Sequence, residues 1–233
     1  MRTIGVLGGM GPEATVDFLA KIVRATPAAR DQDHLHVLVD SNPAVPDRSA
    51  AIAGRGPDPA PVLREMAEHL VAWGAEVLVM PCNTAHYFHE RVSAGLAVPL
   101  LHMMRETADH IRRGWPTART VGLLATDATI SAGLYHRALA NRGLDVLVPD
   151  RDAQAMVMGA IFGADGVKAG HHHHPRRWLE VVAAGLVAQG ADVVVAGCTE
   201  VPVVLSATDV TVPLVDATEV LARAAVREGR RDH

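Results

Sequence analysis

Cys82 and Cys198 are the only thiols of this chain, and they occupy matching places. Cys82 follows the apolar run VLVMP and Cys198 follows VVVAG, each where a buried strand should give way to a helix. A thiol at such a turn meets backbone N–H groups at a helix N-terminus, which lowers its pKa and favours the thiolate. Two thiols on opposite faces of a small substrate suit one reaction class. One, as thiolate, removes a proton from carbon; the other, as thiol, returns a proton to the opposite face. That is two-base racemisation or epimerisation. Two buried structural cysteines, a disulfide or part of a zinc site are the bland alternatives. Matched placement weighs against the first and a reducing compartment against the second. The absence of Cys-x-x-Cys spacing weighs against the third, so no metal is expected.

The elements that must position these thiols are legible as alternating apolar runs and helix-period segments. The runs predict strands over Thr3–Leu7, Leu35–Val39, Val77–Met80, Val98–Leu101, Thr120–Leu124, Asp145–Val148, Val193–Ala196 and Val212–Val215. Amphipathic helices are expected over Val62–Trp73, Ala132–Asn141 and Arg177–Gln189. Continuous apolar strands separated by helices indicate parallel sheet covered on both faces, an α/β protein.

An internal repeat sharpens this reading. RTIGVLGGMGPEAT (2–15) corresponds to RTVGLLATDATISA (119–132), and GAEVLVMPCNTAH (74–86) to GADVVVAGCTEVP (190–202). VPLLHMMRETA (98–108) likewise corresponds to VPLVDATEVLA (212–222). Gly74 and Gly190 stand where a helix should end before each cysteine strand. The expectation is two pseudo-symmetric α/β halves, each a parallel sheet flanked by helices, with the active site in the cleft between them. The first half spans 1–103, completed by 212–233, and the second spans 104–211.

Composition excludes several classes. With 49% hydrophobic and 21% charged residues and a net charge of −4, the chain has no basic run for nucleic acid beyond the C-terminal REGRRDH. No apolar stretch approaches the roughly 18 residues of a membrane helix, and the glycine-broken N-terminus reads as a strand rather than a leader. A cytoplasmic protein is expected. Among the basic residues only Lys21 and Lys168 are lysines, so a lysine here stands out against an arginine background.

Five ordered motifs then carry a resemblance: GGMGPEAT (8–15), SNPAVPDR (41–48), PCNTAH (81–86), GVKAG (166–170) and GCTE (197–200). Together the chain resembles the aspartate/glutamate racemase family, specifically its aspartate branch, over nearly its whole length. The resemblance implies a cofactor-independent enzyme interconverting L and D forms of an acidic amino acid, and a homodimer. An acidic amino acid carries two carboxylates, so its pocket needs cations. Arg48 offers a bidentate fork and Lys168 a compact ammonium. Backbone N–H groups around Met10 offer a further carboxylate site at a helix start. The GGxG stretch lacks the full dinucleotide fingerprint, so no nicotinamide cofactor is inferred.

Asn83, Thr84 and Thr199 flank the cysteines as substrate donors, or as helix caps. Glu200 stands where glutamate racemases usually carry histidine. It assists proton movement or holds the loop, and by like-charge repulsion it should raise the Cys198 pKa against the helix-end effect. His86 orients the Cys82 loop or packs inside. His171–His174 are expected as a polar loop preceding a helix at Pro175, where the chain departs from the family's usual wording. The reading that results is a racemase without cofactor or metal, acting on aspartate, with glutamate as a second candidate. Rivals are a maleate isomerase, hydantoin racemase or arylmalonate decarboxylase, and a non-catalytic protein binding a small acid.

Overall fold

The computed structural model describes residues 1–231 of the chain. It divides into two compact units, Met1–Glu106 with the C-terminal segment from Thr218, and Thr107–Ala217.

The first unit holds three parallel strands, β1 (Ile4–Gly8), β2 (Val37–Ser41) and β3 (Val77–Val79), in the order β2-β1-β3. β1 and β3 are buried along their length, as uninterrupted apolar runs require when helices cover both faces. β2 lies at an edge and is half-buried, which is why it tolerates Asp40 and Ser41. It runs Val37–Ser41 rather than 35–39 because its register with β1 pairs Val37 with Ile4 and Ser41 with Gly8.

The run at 98–101 is not a strand. Leu100 forms a single parallel bridge to Leu78, and Leu78 N–H donates to the Pro99 carbonyl at 2.8 Å. Leu101 N–H donates back to the Leu78 carbonyl at 2.9 Å, and the pairing runs no further. Against the sheet lies the helix Ala60–Ala72, which buries Leu63, Met66, Ala67 and Leu70 at i, i+3, i+4 and i+7. Truncating Leu70 to alanine there would cost about 2–5 kcal/mol through the lost burial and the cavity left behind.

The second unit holds four parallel strands, β4 (Thr120–Leu124), β5 (Asp145–Leu147), β6 (Val193–Ala196) and β7 (Leu214–Asp216), in the order β5-β4-β6-β7. β7 therefore joins the second sheet through its pairing with β6, and 212–217 stands with the second unit rather than completing the first. The crossover ends only at the helix Ala217–Gly229, whose Gly229 carbonyl accepts from Arg2 N–H at 2.7 Å. Helices Arg151–Phe162 and His173–Ala188 pack together over this sheet, with Val157, Ala160, Leu179, Val182, Ala183 and Leu186 in their core.

The repeat is visible in the turns that enter the cysteine strands. Gly74 (φ +104°) and Gly190 (φ +100°) each lie just past a helix end in the left-handed range that glycine adopts without strain. In both turns the same pair of bonds closes the helix. Gly74 N–H reaches Val71 O and Ala75 N–H reaches Leu70 O; Gly190 N–H reaches Val187 O and Ala191 N–H reaches Leu186 O. This is the Schellman pattern, which satisfies carbonyls that a helix end leaves without intrahelical partners.

Candidate active site

In the first unit, the carboxyl ends of all three strands open into loops that carry the singled-out motifs. GGMG follows β1, SNPAVPDR follows β2 and PCNTAH follows β3. The loops converge: Met10, Val45 and Cys82, one from each, share a single buried apolar cluster. The first two also meet backbone to backbone. Asn42 N–H donates to the Gly8 carbonyl at 3.3 Å, and a Cβ placed on Gly9 would lie 2.4 Å from the Asn42 carbonyl carbon. Only a residue without a side chain fits there, and Gly9 also has φ +89°. Thr15, one turn into the helix Pro12–Ala25, accepts from Gly9 N–H at 2.8 Å and donates to Gly11 O at 3.0 Å. The glycine turn is thus held by side-chain bonds as well as by packing.

Arg48 opens the short helix Arg48–Ile52, whose N-cap Asp47 accepts from Ala50 N–H at 2.6 Å. Its Nη1 donates to the carbonyls of Val45 and Pro46, both at 3.0 Å. The guanidinium is therefore anchored to its own loop, and that helix lies against the 3₁₀ turn Thr84–Phe88 that follows Cys82.

Cys82 is buried, and its turn leads into five residues of 3₁₀ helix rather than a full α-helix. Asn83 occupies the cap position without a capping side-chain bond. What fixes the turn is His86. Its Nε2 accepts from Met103 N–H at 3.1 Å, so its Nδ1 carries the proton and donates to the Cys82 carbonyl at 2.9 Å. Burial pushes the His86 pKa down to about 4, which keeps the ring neutral and this tautomer in place. His89 and His102 complete a ring cluster with centroids 4.7–5.7 Å apart. His89 is lowered by burial, and His102 to about 3 by burial and by the neighbouring histidines. Its spacing, with 86 and 89 on one helical turn and 102 before the next helix, was the only sequence signal for this cluster.

In the second unit, GCTE follows β6. Cys198 is buried, and its Sγ–H donates to Glu200 Oε2 at 3.0 Å. The Thr199 hydroxyl donates to the same oxygen at 3.1 Å. Glu200 Oε1 forms an ion pair with Lys168 Nζ, which also lies 5.7 Å from the Phe162 ring centre. Lys168 sits in the 3₁₀ turn Val167–Ala169, between the two long helices, and the ion pair brings it to the cysteine loop. Tyr135, fully buried, faces the same thiol, and burial pushes its phenol up.

The sequence expectation of a helix-end thiolate does not hold at Cys198. Only four helical residues follow, Val201–Val204. Burial, then the Glu200 charge, raise the thiol's pKa well above its ordinary value, while Lys168 pulls it down. Thr199 bonds Glu200 rather than capping the helix. The histidine run also differs from expectation, since the helix begins at His173 and takes His173 and His174 into its first turn. Among the described residues, no group of three or more His, Cys, Asp or Glu side chains is placed to hold a metal, and no helix is long and apolar enough to cross a membrane.

The Asp/Glu/Hydantoin racemase family model matches residues 7–225. The chain is 29% identical over 230 residues to the broad specificity amino-acid racemase RacX of Bacillus subtilis (strain 168), covering 96% of each. Among solved structures it is similar to the aspartate racemase of Picrophilus torridus, with 30% identity, a TM-score of 0.87, and 98% of this chain and 94% of that one covered. An aspartate racemase homologue from Pyrococcus horikoshii OT3 shares the fold at 24% identity and a TM-score of 0.79, over 99% of this chain and all of that one.

Proposed function

The chain belongs to the Asp/Glu/Hydantoin racemase family, and we propose that it is a cofactor-independent amino-acid racemase using Cys82 and Cys198 as its two bases. The observation that carries the reading is the paired placement of both thiols, each buried in the turn that follows a buried parallel strand of its own unit. One thiolate takes the Cα proton and the other thiol returns a proton to the opposite face. The cysteines exchange acid and base roles with the direction of reaction.

Aspartate is the proposed substrate, with glutamate as the second candidate. The barrier is the weak acidity of Cα–H, which the site must lower by stabilising negative charge on the substrate with preorganised donors. Arg48, Lys168 and the N–H groups of the glycine turn around Met10 are those donors for the carboxylates. Asn83, Thr84 and Thr199 line the thiols, and Glu200 acts on Cys198. A relative at 30% identity that is an aspartate racemase supports the choice of aspartate, while the broad specificity of RacX keeps glutamate in view. The protein is proposed to work as a cytoplasmic homodimer.

The test incubates the reduced protein with L-aspartate and, separately, L-glutamate in D₂O. Cα deuteration is followed by NMR and chirality by chiral chromatography. Deuterated D product establishes racemisation and ranks the substrates. Absence of both deuteration and inversion with either amino acid removes the acidic-amino-acid assignment.

A further inference from the structure

Cys198, Glu200 and Lys168 form a line of three ionisable groups in one loop region of the second unit. The thiol donates to one carboxylate oxygen, and the ammonium binds the other. Thr199 adds a second donor to Oε2, so that oxygen is aimed at the thiol by two hydrogen bonds. The Glu200 side chain is 7% exposed and that of Lys168 31%, so the carboxylate is shielded while the ammonium reaches solvent. A carboxylate is an acceptor only, so the hydrogen in the Cys198–Glu200 contact belongs to sulfur.

We propose that Glu200 is a positioning residue that holds Cys198 as the proton-bearing thiol of the resting enzyme, with Lys168 as the counterweight that keeps this hold reversible. The inference rests on the racemase reading for its use in catalysis. Within that reading, the free enzyme is one protonation isomer, with Cys198 poised as the acid. It meets productively the enantiomer whose Cα–H faces Cys82. When Cys198 gives its proton to Cα, the electron pair stays on sulfur. The new thiolate lies beside the Glu200 carboxylate, and this like-charge contact drives the sulfur to recover a proton from solvent, while the proton that Cys82 took from Cα is released to solvent. Lys168 limits the repulsion by neutralising part of the Glu200 charge. A substrate carboxylate that engages Lys168 competes for the same ammonium, which ties occupancy of the site to the state of the thiol.

The ionisable groups facing the thiol are Glu200 and Lys168 from its own unit's loops and Tyr135 from the helix Leu134–Ala140, with Asp216 beyond Tyr135. Tyr135 is fully buried, and burial pushes its phenol up, which favours its neutral form. Glu200 and Lys168 are the two charges that act on the thiol directly, and they act with opposite sign, whereas Asp216 acts on Tyr135.

That opposition makes the test specific. The pH dependence of iodoacetamide alkylation at Cys198 is read by peptide mass spectrometry in the wild type, Glu200→Gln and Lys168→Met, with Cys82 in the same samples as internal control. Glu200→Gln keeps the side-chain shape and removes the charge, so the Cys198 midpoint should fall by a pH unit or more. That is about a tenfold gain in alkylation rate at a fixed pH below the midpoint. Lys168→Met removes the cation, and the midpoint should rise. A merely structural role loosens the loop in both variants and moves both midpoints the same way. Midpoints that move together, or a Glu200→Gln midpoint that stays in place, would overturn the proposal. Alkylation requires no turnover, so failure of the isotope-exchange test leaves this result readable, and the reverse holds too.

A kinetic readout follows if racemisation is present. Enantiomers have equal free energy, so kcat/KM is the same in both directions and asymmetry appears only in the separate kcat and KM values. Glu200→Gln should shift the ratio of the two KM values toward tighter binding of the enantiomer that meets Cys198 as thiolate. An unchanged ratio counts against the proposal.

Discussion

His86 binds the Cys82 carbonyl through Nδ1–H at 2.9 Å while its Nε2 accepts from Met103 N–H at 3.1 Å. The neutral ring is a strut between the cysteine turn and the start of the helix Met103–Gly114. Neither bond touches the thiol itself, so His86 acts on Cys82 only by fixing the backbone that carries it. Replacing it with alanine leaves Met103 N–H buried without this acceptor, at a cost of about 1–3 kcal/mol. The loosened turn should also lower kcat by about tenfold or more, since small misplacements of reacting groups are expensive. Urea denaturation and initial rates check both. A variant with full kcat but reduced stability would make His86 a structural tie alone.

The same ring should mark the protein's acid limit. Its folded pKa is about 4, against about 6.5 for an unperturbed histidine. The unfolded state therefore takes up the proton first. Stability from the neutral ring is fully present above about pH 6.5 and is lost as pH falls toward 4, by about 3 kcal/mol. His89 and His102 are displaced in the same direction and steepen the loss. Unfolding free energies measured across this window should fall with pH in the wild type and fall less in His86→Gln.

Cys82→Ala and Cys198→Ala should each remove racemisation, lowering the rate by about 10²–10⁴-fold or more, as loss of an acid–base group does. Both variants should fold, since each exchange removes one sulfur atom from a buried site. Chiral chromatography of the product, with circular dichroism as fold control, decides. Near-wild-type inversion by either variant would end the two-thiol mechanism.

Gly9→Ala should be among the most damaging small changes. The added Cβ meets the Asn42 backbone at 2.4–2.6 Å, and φ is +89°. Strain of about 1–3 kcal/mol is expected from the conformation alone, before the two loops are pushed apart. Thermal unfolding should show it, and racemisation should fall with it, because the turn carries Met10. Ala at Gly54, where a Cβ would meet nothing within 4 Å, is the control that separates backbone strain from contact.

The strands most legible in the sequence were those buried on both faces. Thr120–Leu124 and Val193–Ala196 stand where their apolar runs placed them. Edge and bridge positions were harder, because register decides them and register is not written in one strand alone. Ser41 pairs because Gly8 does, and Val98–Leu101 stops at the single Leu78–Leu100 bridge although the matching segment after Pro213 pairs over Leu214–Asp216. The 116-residue spacing of Cys82 and Cys198 pointed to the two turns, but their chemistry depends on neighbours far along the chain. Lys168 lies thirty-two residues before Glu200, and Met103 lies seventeen after His86. No local pattern joins them. The helix-end argument for a thiolate failed for the same reason, since burial and a charge in contact outweigh a helix of four residues.

Arg48 tests how the substrate is held. Its Nη1 is committed to the Val45 and Pro46 carbonyls, which sets the plane of the guanidinium. A planar fork fixed in this way can present its other nitrogens to a carboxylate in a defined direction, whereas a lysine carries a single point charge on a flexible stem. Arg48→Lys should therefore raise KM for the amino acid by about tenfold or more, one lost charge-assisted bond being worth about 1.5–3 kcal/mol. It should change kcat less, because the proton transfers belong to the thiols. Initial rates over a range of L-aspartate concentrations give the split. If KM is unchanged in Arg48→Lys, the arginine serves only to clip its own loop, and the carboxylate must be bound by the glycine turn and Lys168.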